Sequence, residues 1–292
     1  MDLIEKAAAR LALQEAPAKP EQASPLQKPV LQESSTGESV TLPLDDRPVD
    51  LTLDLKRLHD LGMVVPDTAR SQIKEEFRHI KRPLLMNAAG KGTSILKHAN
   101  LIMVSSAHPG EGKTFNAANL ALSIAAERDK TVLLVDCDVV RPALGNLLGY
   151  SSQRGLVDYL INPSLDLSDL MLKTDLPTLS VLPAGNPHHL STELLASDAM
   201  QALTVELSTR YSDRVVIFDS PPLLATTESC VLAHLMGQIV IVVEAERTTR
   251  SDVREALERL GSLPETAVGF VLNKTRHERE AGYYGYGYGY GY

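Results

Sequence analysis

The chain has 292 residues, enough for one sizeable α/β domain with appendages. A formal net charge of −8 and an aromatic content of 4% give no support to nucleic-acid binding or base stacking. The two cysteines, Cys137 and Cys230, make no Cys-x-x-Cys pair or His/Cys cluster, so free cytosolic thiols are expected rather than a disulfide framework or a thiolate metal site.

In chain order, residues 2–13 place Leu3, Ile4, Ala7, Ala8 and Leu11 on one face of a short amphipathic helix. Such a helix suits docking on a partner, on the core or transiently on a membrane, although its acids oppose anionic lipid. Neither an export signal nor a run approaching ~18 apolar residues is read, which predicts a cytoplasmic protein without a membrane span. From about Pro17 to Pro48 the chain is rich in Pro, Gln, Ser and Glu, a linker composition. Pattern returns at 51–61 with Leu51, Leu53, Leu55, Leu58 and Leu61. A helix is expected from about Thr68 to Lys81, ended by Pro83, with Ile73, Phe77 and Ile80 on its apolar face. Its other face carries Glu75, Arg78 and Lys81 at three-residue intervals. On spacing alone, that row reads as a solvated face with local ion pairs.

A regular alternation follows. Strands are expected at 101–106, 131–136, 178–182, 214–219, 238–244 and 267–272, and helices at 113–127, 142–149, 192–208, 227–236 and 249–261. Runs such as Thr131–Val135 and Arg214–Phe218 are almost continuously apolar, as parallel strands buried on both faces are. The fold class is therefore α/β, a mostly parallel twisted sheet with helices on both faces; the loop that follows strand 101–106 makes it a P-loop NTPase. The organisation read is an N-terminal helix and linker (1–67), a catalytic domain (68–275) and a tyrosine-rich tail (276–292).

The first of these strands runs into Ala107-His108-Pro109-Gly110-Glu111-Gly112-Lys113-Thr114 and then a helix, the context a P-loop needs. Gly110 and Gly112 let backbone N–H groups turn toward phosphate oxygens, and the helix N-terminus adds partial positive charge. Lys113 is placed to reach the β/γ-phosphates and Thr114 to ligate Mg²⁺. Ala107 stands where the usual first glycine would be, so the loop is a variant.

The second strand ends in Asp136-Cys137-Asp138, and the fourth in Asp219-Ser220-Pro221-Pro222. Carboxylates crowded at strand C-termini are costly unless they meet a cation, and that sheet edge is where ligands bind. Asn273 ends the last strand; its amide can donate and accept, which suits an adenine edge, or it caps a turn. Arg247 and Arg250 stand at a helix entry, where they read first as solvated surface and otherwise as groups facing phosphate or a neighbouring subunit.

The chain closes on Gly282-Tyr283-Tyr284-Gly285-Tyr286-Gly287-Tyr288-Gly289-Tyr290-Gly291-Tyr292, which holds six of its nine tyrosines. So many glycines predict a disordered segment. It serves either as an adhesive or as a string of phosphate acceptors, and the P-loop upstream favours the second.

Together these motifs resemble the bacterial tyrosine kinases, within the deviant P-loop group that includes the MinD/ParA ATPases. The likeness spans about residues 70–292, with Walker A at 107–114, Walker A′ at 133–138 and Walker B at 215–219. It implies an ATP·Mg²⁺-dependent autokinase with Lys113, Asp136 and Asp138 as catalytic residues, Asp136 activating the phenol. Gly110, Glu111, Gly112, Lys113, Thr114, Phe115 and Asn273 would line the nucleotide, and Thr114, Asp138 and Asp219 the metal. The acceptors would be Tyr283, Tyr284, Tyr286, Tyr288, Tyr290 and Tyr292 of a neighbouring copy. Glu75, Arg78 and Lys81 look like the family's Glu-x-x-Arg-x-x-Arg oligomerisation motif with lysine last, which implies a ring homo-oligomer. Relatives often carry arginine two residues after the second Walker A′ acid; here Val140 stands there and Arg141 follows.

Shorter matches at Met1–Lys6, Glu75–Leu85 and Asp138–Pro142 resemble the stand-alone autokinases of exosortase-associated exopolysaccharide loci. That branch implies a membrane polysaccharide co-polymerase as activator, recruitment to the inner face of the plasma membrane, and a tyrosine phosphatase as counterpart. Two rival readings are a MinD/ParA-like ATPase that positions a membrane partner without tyrosine phosphorylation, and a nucleotide-binding scaffold with an adhesive tail.

Overall fold

Alternate residues of the apolar strands face opposite layers, and this period of two builds the core. In the computed structural model the described residues are 48–66, 70–92, 95–151, 153–210 and 213–275. The expected helix at 2–13, the linker through residue 47 and the tail from 276 lie outside them. Strands β1 (Leu101–Ser106), β2 (Thr131–Asp136), β3 (Leu172–Lys173), β4 (Leu179–Leu182), β5 (Arg214–Asp219), β6 (Gln238–Glu244) and β7 (Ala267–Asn273) form one sheet in the order β3-β4-β2-β5-β1-β6-β7. All pairs are parallel except β3 with β4. Met103, Leu133, Val216 and Phe218 bury into one apolar layer, while Ile102, Leu134, Val215 and Ile217 bury into the other. Burying each such side chain stabilises the fold by about 1.5–3 kcal/mol.

The helices among the described residues are α1 (Leu55–Asp60), α2 (Gln72–Ala88), α3 (Lys113–Ala125), α4 (Leu144–Leu148), α5 (Leu156–Ile161), α6 (Leu167–Leu170), α7 (Ser191–Leu194), α8 (Asp198–Thr209), α9 (Glu228–Ala233) and α10 (Arg250–Leu260). Three differ from the sequence reading in instructive ways. Helix α2 does not stop before Pro83 but runs through it to Ala88. Tertiary bonds hold it there: Gln238 Nε2 donates to Leu84 C=O at 3.0 Å, and Asn87 Nδ2 donates to Gln238 Oε1 at 2.8 Å. The single helix expected at 192–208 is two, α7 and α8, because Ser197 breaks the run and caps α8 by accepting from Met200 N–H.

Residues 51–65, read with the N-terminal region, pack on the core. Leu51, Leu53, Leu58, Met63, Val64 and Val65 are buried. Leu51 N–H donates to Lys173 C=O at 3.0 Å, and Val64 N–H donates to Asn119 Oδ1 at 2.6 Å. Arg57 donates to the carbonyls of Asn146 and Leu147 at the end of α4. The short β3, α5 and α6 carry too few residues for a periodic signal.

Candidate functional site

The site grows from the C-terminal ends of β1, β2 and β5. Between β1 and α3 the loop turns through Gly110 (φ +86°) and Gly112 (φ +99°), left-handed conformations that favour glycine. A Cβ on Gly112 would stand 2.1 Å from Asn273 Nδ2, so the loop also needs glycine for space. Its carbonyls are held from outside: Asn273 Nδ2 donates to Glu111 C=O at 2.9 Å and Lys274 Nζ to Gly110 C=O at 2.8 Å. The Glu111 side chain braces the loop from within. It is buried, accepts from His108 N–H at 2.9 Å, and accepts from the Thr248 hydroxyl. The first-turn amides of α3 have no intrahelical acceptor, and this cradle presents them to an anion.

The acids meet because of strand register. Asp136 and Asp219 are directly paired across β2 and β5. Asp138 follows two residues later, its N–H donating to Asp136 Oδ1 at 3.2 Å. Lys113 Nζ lies 2.7 Å from Asp138 Oδ2, 3.8 Å from Asp219 Oδ1 and 3.4 Å from Thr114 Oγ1. Burial alone would lower the Lys113 pKa, but the charges of Asp219, Asp138 and Asp136 raise it on balance. Burial, then the charges of Asp219 and Asp138, push Asp136 well above the usual carboxylate range. Burial raises Asp219 to about 6, with Lys113 and Thr114 pulling the other way.

Neither oxygen of Asp219, nor Oδ2 of Asp136, makes a hydrogen bond of ordinary geometry. Buried orphan carboxylate oxygens beside a lysine and a hydroxyl fit a cation that arrives with its own phosphate and water ligands. Among the described residues no group of three or more His, Cys, Asp or Glu side chains forms a self-sufficient metal cage. The carboxylates of Asp138 and Asp219 beside the Thr114 hydroxyl are a donor set that fits Mg²⁺ held jointly with a nucleotide. A cleft of about 590 Å³ opens beside it, walled by Gly110, Lys113, Thr114, Asp138, Arg141 and Pro222 among others.

The AAA domain family model AAA_31 matches residues 99–268. The tyrosine-protein kinase YwqD of Bacillus subtilis (strain 168) is 31% identical over 227 residues, covering 77% of this chain and 90% of the relative. The chain belongs to the bacterial tyrosine kinase family. The succinoglycan biosynthesis transport protein ExoP of Rhizobium meliloti (strain 1021) is 35% identical over 79% of this chain, which spans 28% of ExoP. Among solved structures the VpsO kinase domain is 32% identical with a TM-score of 0.55, covering 70% of this chain and 100% of the other.

Within the kinase, Lys113, Thr114, Asp138 and Asp219 come together as the sequence reading expected, and Gly110 and Gly112 form the cradle. Other expected residues stand differently. The Glu111 carboxylate faces the loop's interior, and Phe115 packs against the apolar layer, so only their backbones are available to a phosphate. Asn273 gives its amide nitrogen to the P-loop. Asp136 is fully buried and borders a smaller cleft of about 210 Å³ with Pro142, Gly145, Tyr150 and Pro183 rather than the larger one.

Glu75 and Arg78 pair with each other at 2.6 Å on an accessible face. Lys81, expected beside them at a subunit contact, is buried instead: its ammonium donates to Ser123 C=O at 2.6 Å and pairs with Glu127 at 2.5 Å. The acceptor tyrosines lie outside the described residues. Among the described residues no helix is long and apolar enough to cross a membrane.

Sequence reasoning missed Thr248 and Lys274 as braces of the P-loop, and Tyr150 as a neighbour of the acids. The Tyr150 hydroxyl is buried without a partner, and burial, then the charges of Asp136 and Asp219, push its pKa up. No local motif marks these residues; only the sheet order brings them to the site.

Proposed function

We propose that the kinase moves the γ-phosphoryl group of ATP onto tail tyrosines of a neighbouring copy and so regulates export of an exopolysaccharide. The observation that carries this is the convergence of Asp136, Asp138 and Asp219 on the P-loop lysine of a tyrosine-kinase chain whose own sequence ends in six closely spaced tyrosines. In the transfer, a phenol oxygen bonds to the γ-phosphorus while the β–γ bridging bond breaks and ADP leaves with the electron pair. Asp136, on the smaller cleft beside the nucleotide cleft, would orient the phenol or, as the ionised carboxylate, take its proton.

Lys113 and the loop amides stabilise the charge that spreads over the γ-phosphoryl oxygens. Thr114, Asp138 and Asp219 would hold Mg²⁺, which neutralises triphosphate charge when bound. Arg141 lines the cleft wall and would meet phosphate in place of the arginine that the family resemblance puts one residue earlier. Glu75 and Arg78 serve the contact between copies in a ring. The resemblance to exosortase-associated autokinases, and ExoP's role in succinoglycan transport, support a membrane polysaccharide co-polymerase as activator. A tyrosine phosphatase resets the tail.

The test is transfer of label from γ-labelled ATP·Mg²⁺ in the presence of the activator's cytoplasmic segment. Label is expected on tyrosine, and none in Lys113→Met. Release of inorganic phosphate with no labelled tyrosine would select the plain ATPase.

A further inference from the structure

Strand β7 ends the sheet and, among the described residues, pairs only with β6. Ala267 N–H donates to Gly237 C=O, and Asn273 C=O accepts from Ala245 N–H. Along a strand the backbone groups alternate between its two sides. Odd-numbered residues therefore face β6, and Val268, Phe270 and Leu272 turn their N–H and C=O groups to the open edge.

The same three residues have exposed side chains, at 38%, 51% and 61%. They alternate, so they share one face of the sheet. An open edge with an apolar row is a template for another strand, which proteins usually blunt with charge or proline. β7, Ala-Val-Gly-Phe-Val-Leu-Asn, has neither.

The chain's own tail has the complementary pattern. Tyr284, Tyr286, Tyr288, Tyr290 and Tyr292 alternate with glycine, so an extended tail would put every one of these phenols on a single face. It begins just beyond β7, with residues 274–283 available for the reversal. In an antiparallel register of Leu272 with Tyr284, Phe270 with Tyr286 and Val268 with Tyr288, the phenols cover the apolar row. A one-residue slip would cover it with glycine, so burial selects this register. Aromatic–aliphatic and aromatic–aromatic cross-strand pairs are favourable.

We propose that the unphosphorylated tail folds back on the β7 edge of its own chain as an added antiparallel strand. Docked there, it withholds its phenols from neighbouring active sites. Phosphate on Tyr286 would place about −1.5 to −2 charges over Phe270, which cannot be buried, and the strand is released. The release rests on the autokinase reading; the docking does not.

Residue-resolved amide exchange on the dephosphorylated full chain tests it. The amides of Val268, Phe270 and Leu272 should exchange about tenfold more slowly than in the full chain carrying Tyr284→Ser, Tyr286→Ser and Tyr288→Ser. Those of Gly269 and Val271, which face β6, should not change. Phe270→Asn should abolish the protection at Val268 and Leu272 while the remaining core amides stay protected. Equal exchange in the full chain and the serine variant overturns the proposal. Protection that fades on dilution would give the edge to a second copy's tail and overturn it as well. If no phosphate ever reaches the tail, the autokinase reading fails while the exchange result still stands.

Discussion

Lys113 Nζ sits 2.7 Å from Asp138 Oδ2, so the P-loop ammonium is paired with a carboxylate that the sequence places on another strand end. On the proposed function, binding a triphosphate would exchange this partner for phosphate and free Asp138 for the metal. Lys113→Met should therefore lower phosphoryl transfer about 10³-fold. It also leaves three carboxylates crowded without their cation. The variant should lose about 1–3 kcal/mol of stability at pH 8 and less at pH 5, where the acids take up protons. Urea unfolding at the two pH values checks this.

Asp219 gives a prediction of opposite sign. Its folded pKa is raised from 3.8 to about 6, so the folded state binds the proton more tightly than the unfolded state. The stability this group contributes is lost as pH rises from about 4 through 6. Asp219→Asn removes the penalty. At pH 7.5 the variant should be more stable than wild type by up to about 3 kcal/mol, with little difference at pH 4, yet inactive. A wild type more stable at pH 7.5 would contradict the assignment.

Asn273 holds the P-loop through Glu111 C=O. Asn273→Ala should raise KM for ATP about tenfold while changing kcat less, because one brace of the cradle is gone. Gly112→Ala meets both a left-handed backbone and Asn273 itself, and should abolish nucleotide binding by calorimetry.

Lys81 and its two neighbours on α2 should separate. Lys81→Ala removes a buried bond to Ser123 C=O and the pair with Glu127, costing about 1–3 kcal/mol by denaturation without altering the sedimentation of the folded protein. Glu75→Lys and Arg78→Glu lie on an accessible face and should weaken assembly while leaving monomer stability within about 0.5 kcal/mol.

The parts legible in the sequence were those set by local pattern. Apolar runs located six strands, and Gly110, Gly112 and Lys113 announced the cradle, because each signal lies within a few residues. The juxtaposition of Asp136 with Asp219 needed only the two strand ends to be neighbours in a parallel sheet. What stayed hidden depends on long-range contacts. Pro83 looked like a helix stop because its missing N–H is local, while Gln238, which holds the helix beyond it, is distant in sequence. Lys81 shares its three-residue spacing with Glu75 and Arg78 but faces Ser123, and spacing cannot tell a solvent face from a helix contact. Asn273 and Glu111 were read as nucleotide contacts because of where they stand in the chain, yet each also braces the loop.

The central claim is that the acidic strand ends and the P-loop serve a phenol rather than water. Peptide mass spectrometry of the full chain, incubated with ATP·Mg²⁺ and its activator, tests it most directly. Phosphate should appear on tyrosines within 283–292 in wild type and be absent in Lys113→Met. A tail that stays wholly unmodified while ATP is turned over would contradict the account.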